Sequence, residues 1–363
     1  MVLGIDVSTW FEALSHGAAY YDGDTPMDPL EALRKNGVDC MRIRLWNHPY
    51  SAEGTPYLGG TCDLENFLKL SHLAEEKGYR IMLDLHYSDF WADPGKQFIP
   101  KAWNGLGVEE LEQAVYAFTR ESLEAIRRDG VELSYIQVGN EITNGLLWPV
   151  GRLDESTSPR GNYPTLIRLL KAGIRACREV CPGAQLILHL ERSHDGAVYQ
   201  EFFSAMEKAG VDYDIIGASY YPYWHGTFEQ FFANMDACAR FGKPRMIVET
   251  GYAFTLENYI ENGNGGLVVG FDNSGTVATP YPLTPQGQAD FVTKLLELSK
   301  AHGLAGIFYW EPLWVPGEGI CWASEEGEHY IHEEGKPPRN EWANQCLFDY
   351  QGRKLPAFDR FAL

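Results

Sequence analysis

The 363-residue chain contains no apolar run near the roughly 18 consecutive residues of a membrane-spanning helix. Positive charge is also scarce. Thirty Lys and Arg against 50 Asp and Glu give a net charge of −20, a field that repels nucleic acid and anionic lipid and argues against both as partners. Cysteine is sparse and odd in number at seven, with no close CxxC pair, so neither a disulfide framework nor a zinc site is expected. The chain has no P-loop, no G-x-S-x-G elbow and no HExxH, the HEEGKPP stretch at His332 having the wrong spacing. Its N-terminus, MVLGIDVSTWFEAL, lacks the basic, apolar and small-residue succession of a signal peptide. This predicts a cytoplasmic protein if Met1 is the native start, and a secreted one if a leader has been removed.

What is present is a globular composition, 45% apolar and 13% aromatic. Eight strand-like runs begin at Leu3, Cys40, Arg80, Leu133, Ala184, Tyr213, Arg245 and Leu304. Several are nearly continuous apolar runs, as parallel strands covered on both faces require. Helical periods alternate with them, starting at Leu64, Val108, Thr165 and Gly287, and many close on Lys, Arg or His followed by Gly. Eight such units predict an α/β fold, a (β/α)8 TIM barrel. The competing doubly wound sheet would carry a Gly-rich turn after its first strand, where IDVSTWFEAL has none. No linker, repeat or low-complexity tract divides residues 1–363, so a single domain is expected, with long loops over 88–107, 143–164, 251–285 and 312–348 on the active face.

Two carboxylates stand at strand ends, Glu141 after VGN and Glu249 in IVET. Strands 4 and 7 lie on opposite sides of an eight-stranded barrel, so their side chains can meet across its mouth, an arrangement suited to glycoside hydrolysis. A gap of about 5 to 5.5 Å would mean retention of configuration and about 6.5 to 9.5 Å inversion. Other strand ends are polar or aromatic: Asp6, Arg44, His86, Asp89, Asn140, Tyr220, Tyr221, Trp310 and Glu311. All ten tryptophans fall at or after strand ends, and indole suits the CH-rich face of a sugar. Strand 1 offers Asp6 and Ser8 rather than the His-x-His of a barrel metallohydrolase.

At GIDVST, MRIRLWNHP, LDLHYSDFWADPGKQ, QVGNEITNGLLWP, SYYPYWHG, IVETGYAFT and IFYWEPLW the chain resembles the family 53 endo-β-1,4-galactanases of the retaining (β/α)8 glycosidase clan. The resemblance runs nearly end to end and implies hydrolysis of neutral β-1,4-galactan, the side chain of type I arabinogalactan and pectin. By it, Glu141 is the general acid/base and Glu249 the nucleophile. Arg44 and Tyr221 orient the nucleophile, although Tyr220 and Tyr221 point to opposite strand faces and only one of them can do so. Asn140 grips the sugar 2-hydroxyl, and His86 is a partner of the acid/base or leaving oxygen. Asp6, Asp89, Trp91, Trp224, His225 and Trp310 are subsite residues.

The resemblance requires no cofactor. Some relatives bind structural calcium near the segment ENGNGGLVVGFDNSGT, where Asp272 and Asn273 are the candidate ligands here. That segment and GEGICWASEEGEHYIHEEGKPPRN depart from the family wording, so product pattern is not carried over. A monomer is expected. Two other readings are a retaining glycanase acting on a different neutral polysaccharide and a carbohydrate-binding barrel without turnover.

Overall fold

The computed structural model describes residues 1–260, 266–270, 277–333 and 339–362. Eight parallel strands close into a barrel: β1 (Val2–Asp6), β2 (Cys40–Leu45), β3 (Arg80–Leu85), β4 (Tyr135–Val138), β5 (Gln185–Leu190), β6 (Ile215–Tyr220), β7 (Arg245–Thr250) and β8 (Gly306–Tyr309). Each pairs with its sequence neighbours, and β8 returns to β1, as repeated right-handed crossovers dictate. All eight expected strands are present.

Among the described residues, seven helices ring the barrel: α1 (Pro29–Lys35), α2 (Leu64–Glu76), α3 (Val108–Arg128), α4 (Tyr163–Val180), α5 (Gly196–Lys208), α6 (Phe228–Cys238) and α7 (Pro285–Ala301). The 3-10 turn Pro356–Ala362 takes the eighth position and packs on α7. Sequence capping explains their starts. Asp28, Asp63 and Thr227 each accept the N3 backbone N–H with a side-chain oxygen. Gly78 and Gly130, at φ +76° and +89°, supply the left-handed residue just past α2 and α3.

The barrel interior has two levels. The lower is an apolar plug of Cys40, Met82, Tyr135, Ile187, Ile215, Met246, Val248 and Phe308. Gly4 belongs to the same level, because a Cβ there would stand 2.2 Å from the Phe308 ring. Above the plug the inward positions turn polar: Asp6 and Ser8, Arg42 and Arg44, Asp84 and His86, Gln137, His189 and Ser219, all buried. The side-chain period of two along a strand stacks each of these over the plug.

Candidate active site

One cleft of about 530 Å³ opens over that polar level, within the usual range for a small-molecule site. Glu141 and Glu249 both line it and are buried. They arrive by different backbone devices. β4 stops at Val138; Gly139 at φ +85° and Glu141 itself at φ +47° then turn the chain. A non-glycine residue held in the left-handed region is a strained position that the surrounding bonds must fix. On β7, Met246 and Val248 both join the plug, so strict alternation would point Glu249 outward. The register shifts between Ile247 and Thr250 on the β8 side, and opposite Ala218 and Ser219 on the β6 side. This bulge turns Glu249 inward beside Val248.

The two carboxylates meet different neighbours. Glu249 Oε1 lies 2.8 Å from Arg42 Nη2, and Tyr221 donates its hydroxyl to Oε2 at 3.2 Å. Glu141 Oε1 lies 2.6 Å from Ser219 Oγ, and no cation pairs with this carboxylate among the described residues. Burial raises both pKa values; the Arg42 guanidinium pulls Glu249 back down, while the charge of Glu249 pushes Glu141 well up. The pair titrates as a unit in which Glu249 ionises first and Glu141 keeps its proton.

Arg42 is the hub beneath. Nη1 is 2.9 Å from Asp6 Oδ2, and Nη2 is 2.8 Å from Asp84 Oδ2 and 2.9 Å from Asn140 Oδ1. Gln137 bridges this group, accepting from Arg42 Nε at 3.3 Å and donating to Asp84 Oδ1 at 2.5 Å. Each buried charge is therefore paired and hydrogen-bonded, as burial demands.

This architecture matches known proteins. The sequence profile of glycosyl hydrolase family 53 covers residues 2–361. The chain belongs to that family. It is 33% identical to the endo-beta-1,4-galactanase of Bacillus subtilis (strain 168), over 99% of this chain and 85% of that one. It is 34% identical to the arabinogalactan endo-beta-1,4-galactanase of Cellvibrio japonicus, over 98% and 89%. The GH53 catalytic domain of Ignisphaera aggregans superposes with a TM-score of 0.88 at 36% identity, covering 99% of this chain and 95% of that one. As a family 53 member the protein is a glycoside hydrolase on a TIM barrel.

Ten of the twelve expected site residues line the cleft of this family 53 hydrolase: Glu141, Glu249, Arg44, His86, Trp91, Asn140, Tyr221, Trp224, His225 and Trp310. Two do not. Asp6 sits one level down, accepting from both Arg42 and Arg44. Asp89 faces away from the cleft and accepts the Lys101 backbone N–H at 2.8 Å, with Lys101 Nζ 3.0 Å away. One expected partnership also differs, and His86 lacks one of the two partners expected for it. Arg42, not Arg44, holds Glu249; Arg44 instead pairs with Asp6 at 3.0 Å and Glu311 at 2.7 Å and lies 4.6 Å from the Trp91 ring centre. His86 does not touch Glu141. Its Nδ1 accepts the Ala92 N–H and its Nε2 donates to Asp84, and burial keeps the ring neutral by lowering its pKa.

Tyr221 is the tyrosine on Glu249, while Tyr220 turns outward onto Phe231 and Phe228. Asn140 Nδ2 donates to the Ala92 carbonyl at 2.8 Å. Six tryptophans wall the cleft: Trp91, Trp224, Trp310, Trp314, Trp322 and Trp342. Trp10, by contrast, starts a short helix, and Trp103 ends a 3-10 turn. Asp272 and Asn273 lie outside the described residues. Among the described residues no group of three or more His, Cys, Asp or Glu is disposed to hold a metal.

Sequence reading passed over Arg42, Asp84, Gln137, His189, Ser219 and Glu191. The available signal was parity: in CMRIRL, Arg42 and Arg44 share one face, so whatever brings one into the barrel brings both.

Proposed function

We propose that the chain is a single-unit retaining endo-hydrolase of β-1,4-galactan, working by double displacement. What supports the substrate is the pair of relatives named galactanases. What supports the mechanism is the unequal setting of the two carboxylates. Glu249, between Arg42 and Tyr221, is ionised and attacks the anomeric carbon. Glu141, without a cation, protonates the departing sugar oxygen, then takes a proton from water as that water releases the glycosyl-enzyme. The second amide hydrogen of Asn140 serves the 2-hydroxyl, and the rings of Trp91, Trp224 and Trp310 meet the sugar faces. A neutral polymer suits a chain of net charge −20, and the two glutamates need no cofactor for this chemistry.

The test is configuration. With an activated aryl β-galactobioside and azide, Glu249→Ala should yield the α-azide and Glu141→Ala the β-azide. Wild-type enzyme on galactan should first release the β-anomer by NMR. An α-anomer, or azide products assigned the other way round, would overturn the mechanism; faster turnover of xylan, mannan or glucan would overturn the substrate.

A further inference from the structure

Behind Glu141 stands a pair of buried residues that the two-carboxylate scheme does not use, His189 on β5 and Ser219 on β6. His189 Nε2 lies 2.8 Å from Ser219 Oγ, and Ser219 Oγ lies 2.6 Å from Glu141 Oε1. On its other side, His189 Nδ1 accepts the Glu141 backbone N–H at 3.4 Å. One imidazole thus reaches both the backbone and, through a hydroxyl, the side chain of a residue whose φ of +47° needs holding.

A serine hydroxyl has one proton to give. Given to Oε1, it obliges Oγ to accept from Nε2–H, and His189 is then the neutral tautomer protonated at Nε2. Burial and the nearby Arg42 charge keep the ring neutral by lowering its pKa well below the usual value. We propose that His189 and Ser219 are positioning residues for the acid/base: they clasp Oε1 of Glu141 so that Oε2 is the oxygen that carries and delivers the proton. This rests on the assignment of Glu141 above. The opposite tautomer has its own partner, because Nδ1 is also 3.1 Å from Asn140 Oδ1. Asn140 cannot turn to relieve that contact, since Oδ1 accepts from Arg42 and Nδ2 donates to Ala92. In that tautomer Ser219 would give its proton to Nε2, and Glu141 would have to be protonated on Oε1, away from the leaving group. The two arrangements differ in the sign of what Ser219 does to Glu141.

The charges facing Glu141 are Glu249 from β7, Glu191 from the end of β5 and Asp93 from the loop after β3; those facing His189 are Arg42, Asp84, His86 and His225. None of them is removed by Ser219→Ala. If Ser219 donates, that substitution takes a hydrogen bond from the carboxylate and raises the Glu141 pKa, so the basic limb of the kcat/KM profile moves to higher pH, by about one unit. Galactan turnover should drop about tenfold or more, since general acid catalysis is what is disturbed. The kcat/KM for a dinitrophenyl galactobioside, which reads only the first step and whose leaving group needs no proton, should lose far less than that for galactan. The His189 nitrogens, assigned by their loss in His189→Asn, should show the Nε2–H pattern in 15N NMR of the wild-type enzyme. A basic limb that moves down or stays, an equal loss on both substrates, or an Nδ1–H pattern would each overturn the proposal. Failure of the Glu141 assignment is seen separately, as galactan hydrolysis surviving in Glu141→Gln.

Discussion

A single guanidinium makes the two cleft glutamates unequal. Arg42 is fully buried and its fork spans Asp6, Asp84, Asn140 and Glu249, a geometry that only a planar group with fixed donors can satisfy. Lysine at this position would bring the charge without the fork. Arg42→Lys is expected to lower galactan kcat/KM by about a hundredfold or more, to raise the acid limb of the pH profile because one ammonium cannot donate to Glu249 while also serving Asp6 and Asp84, and to destabilise the fold by about 3 kcal/mol. Steady-state kinetics from pH 4 to 9 and a denaturant melt check it. Arg44→Lys is the contrast: its partners are Asp6 and Glu311, so the acid limb should stay in place while KM rises through the disturbed Trp91 and Trp310 faces. Equal movement of the acid limb in both variants would return the partner of Glu249 to Arg44. The resemblance pointed to the right strand and face but to the outer arginine, since both lie on one inward row and strand-end position says nothing about depth.

At the level of elements, the barrel was legible because each strand is an apolar run between caps and glycines, and these are local signals. The placement of Glu249 was legible only as an end position. The bulge that turns it inward arises where β7 registers against β6 and β8, a tertiary fit that RMIVET does not advertise. Asp89 was misplaced for a related reason: its sequence sits in a cleft-facing loop, but its side chain turns back to fasten that loop. Lys101 is the other half of the fastening. Its ammonium lies 3.0 Å from Asp89 and from the Tyr57 hydroxyl, and over the Tyr57 and Tyr330 rings at 4.7 and 4.9 Å. It therefore joins the loops after β2 and β3 to the short helix Glu325–Tyr330 of the final segment, which brings Trp322 and Glu333 to the cleft. Lys101→Met would leave the buried Asp89 without a cation, at a cost of about 2 kcal/mol. The expected kinetic result is a KM for galactan raised severalfold with kcat little changed, because the wall loosens and the carboxylates do not move. A fall in kcat at constant KM would instead place Lys101 in the chemistry.

Across the whole molecule, the polar upper barrel makes stability depend on pH with opposing signs. Burial raises Glu12 to about 7 and Glu311 to about 8, and raises Glu141 and Glu249 as well. A carboxylate raised in the folded state binds its proton more tightly than in the unfolded chain, so each such group costs stability as pH climbs from the ordinary carboxylate range to its folded pKa. The buried histidines act the other way. His86, His189 and His225 are all lowered by burial, the last to about 3, so the unfolded chain binds protons that the folded one does not, and stability rises with pH up to about 6.5. Asp84 adds to this acid limb: burial would raise it, but Arg42 and His86 hold it below its usual value, and its contribution is lost only as pH falls through that lowered pKa. Below about pH 6.5 the two sets oppose each other; above it the histidines are neutral in both states and the glutamates act alone. Melting temperature should therefore change little between about pH 4.5 and 6, where the four raised glutamates slightly outweigh the three lowered histidines, and fall by several degrees by pH 8, each pKa unit of a raised glutamate counting for roughly 1.4 kcal/mol. Calorimetry across pH 5 to 9 measures the curve. Glu311→Gln should flatten its upper limb, because the glutamine keeps the size and loses the titration; a limb as steep as in the wild-type protein would mean that Glu311 is ionised in the fold and that its bond to Arg44 outweighs its burial.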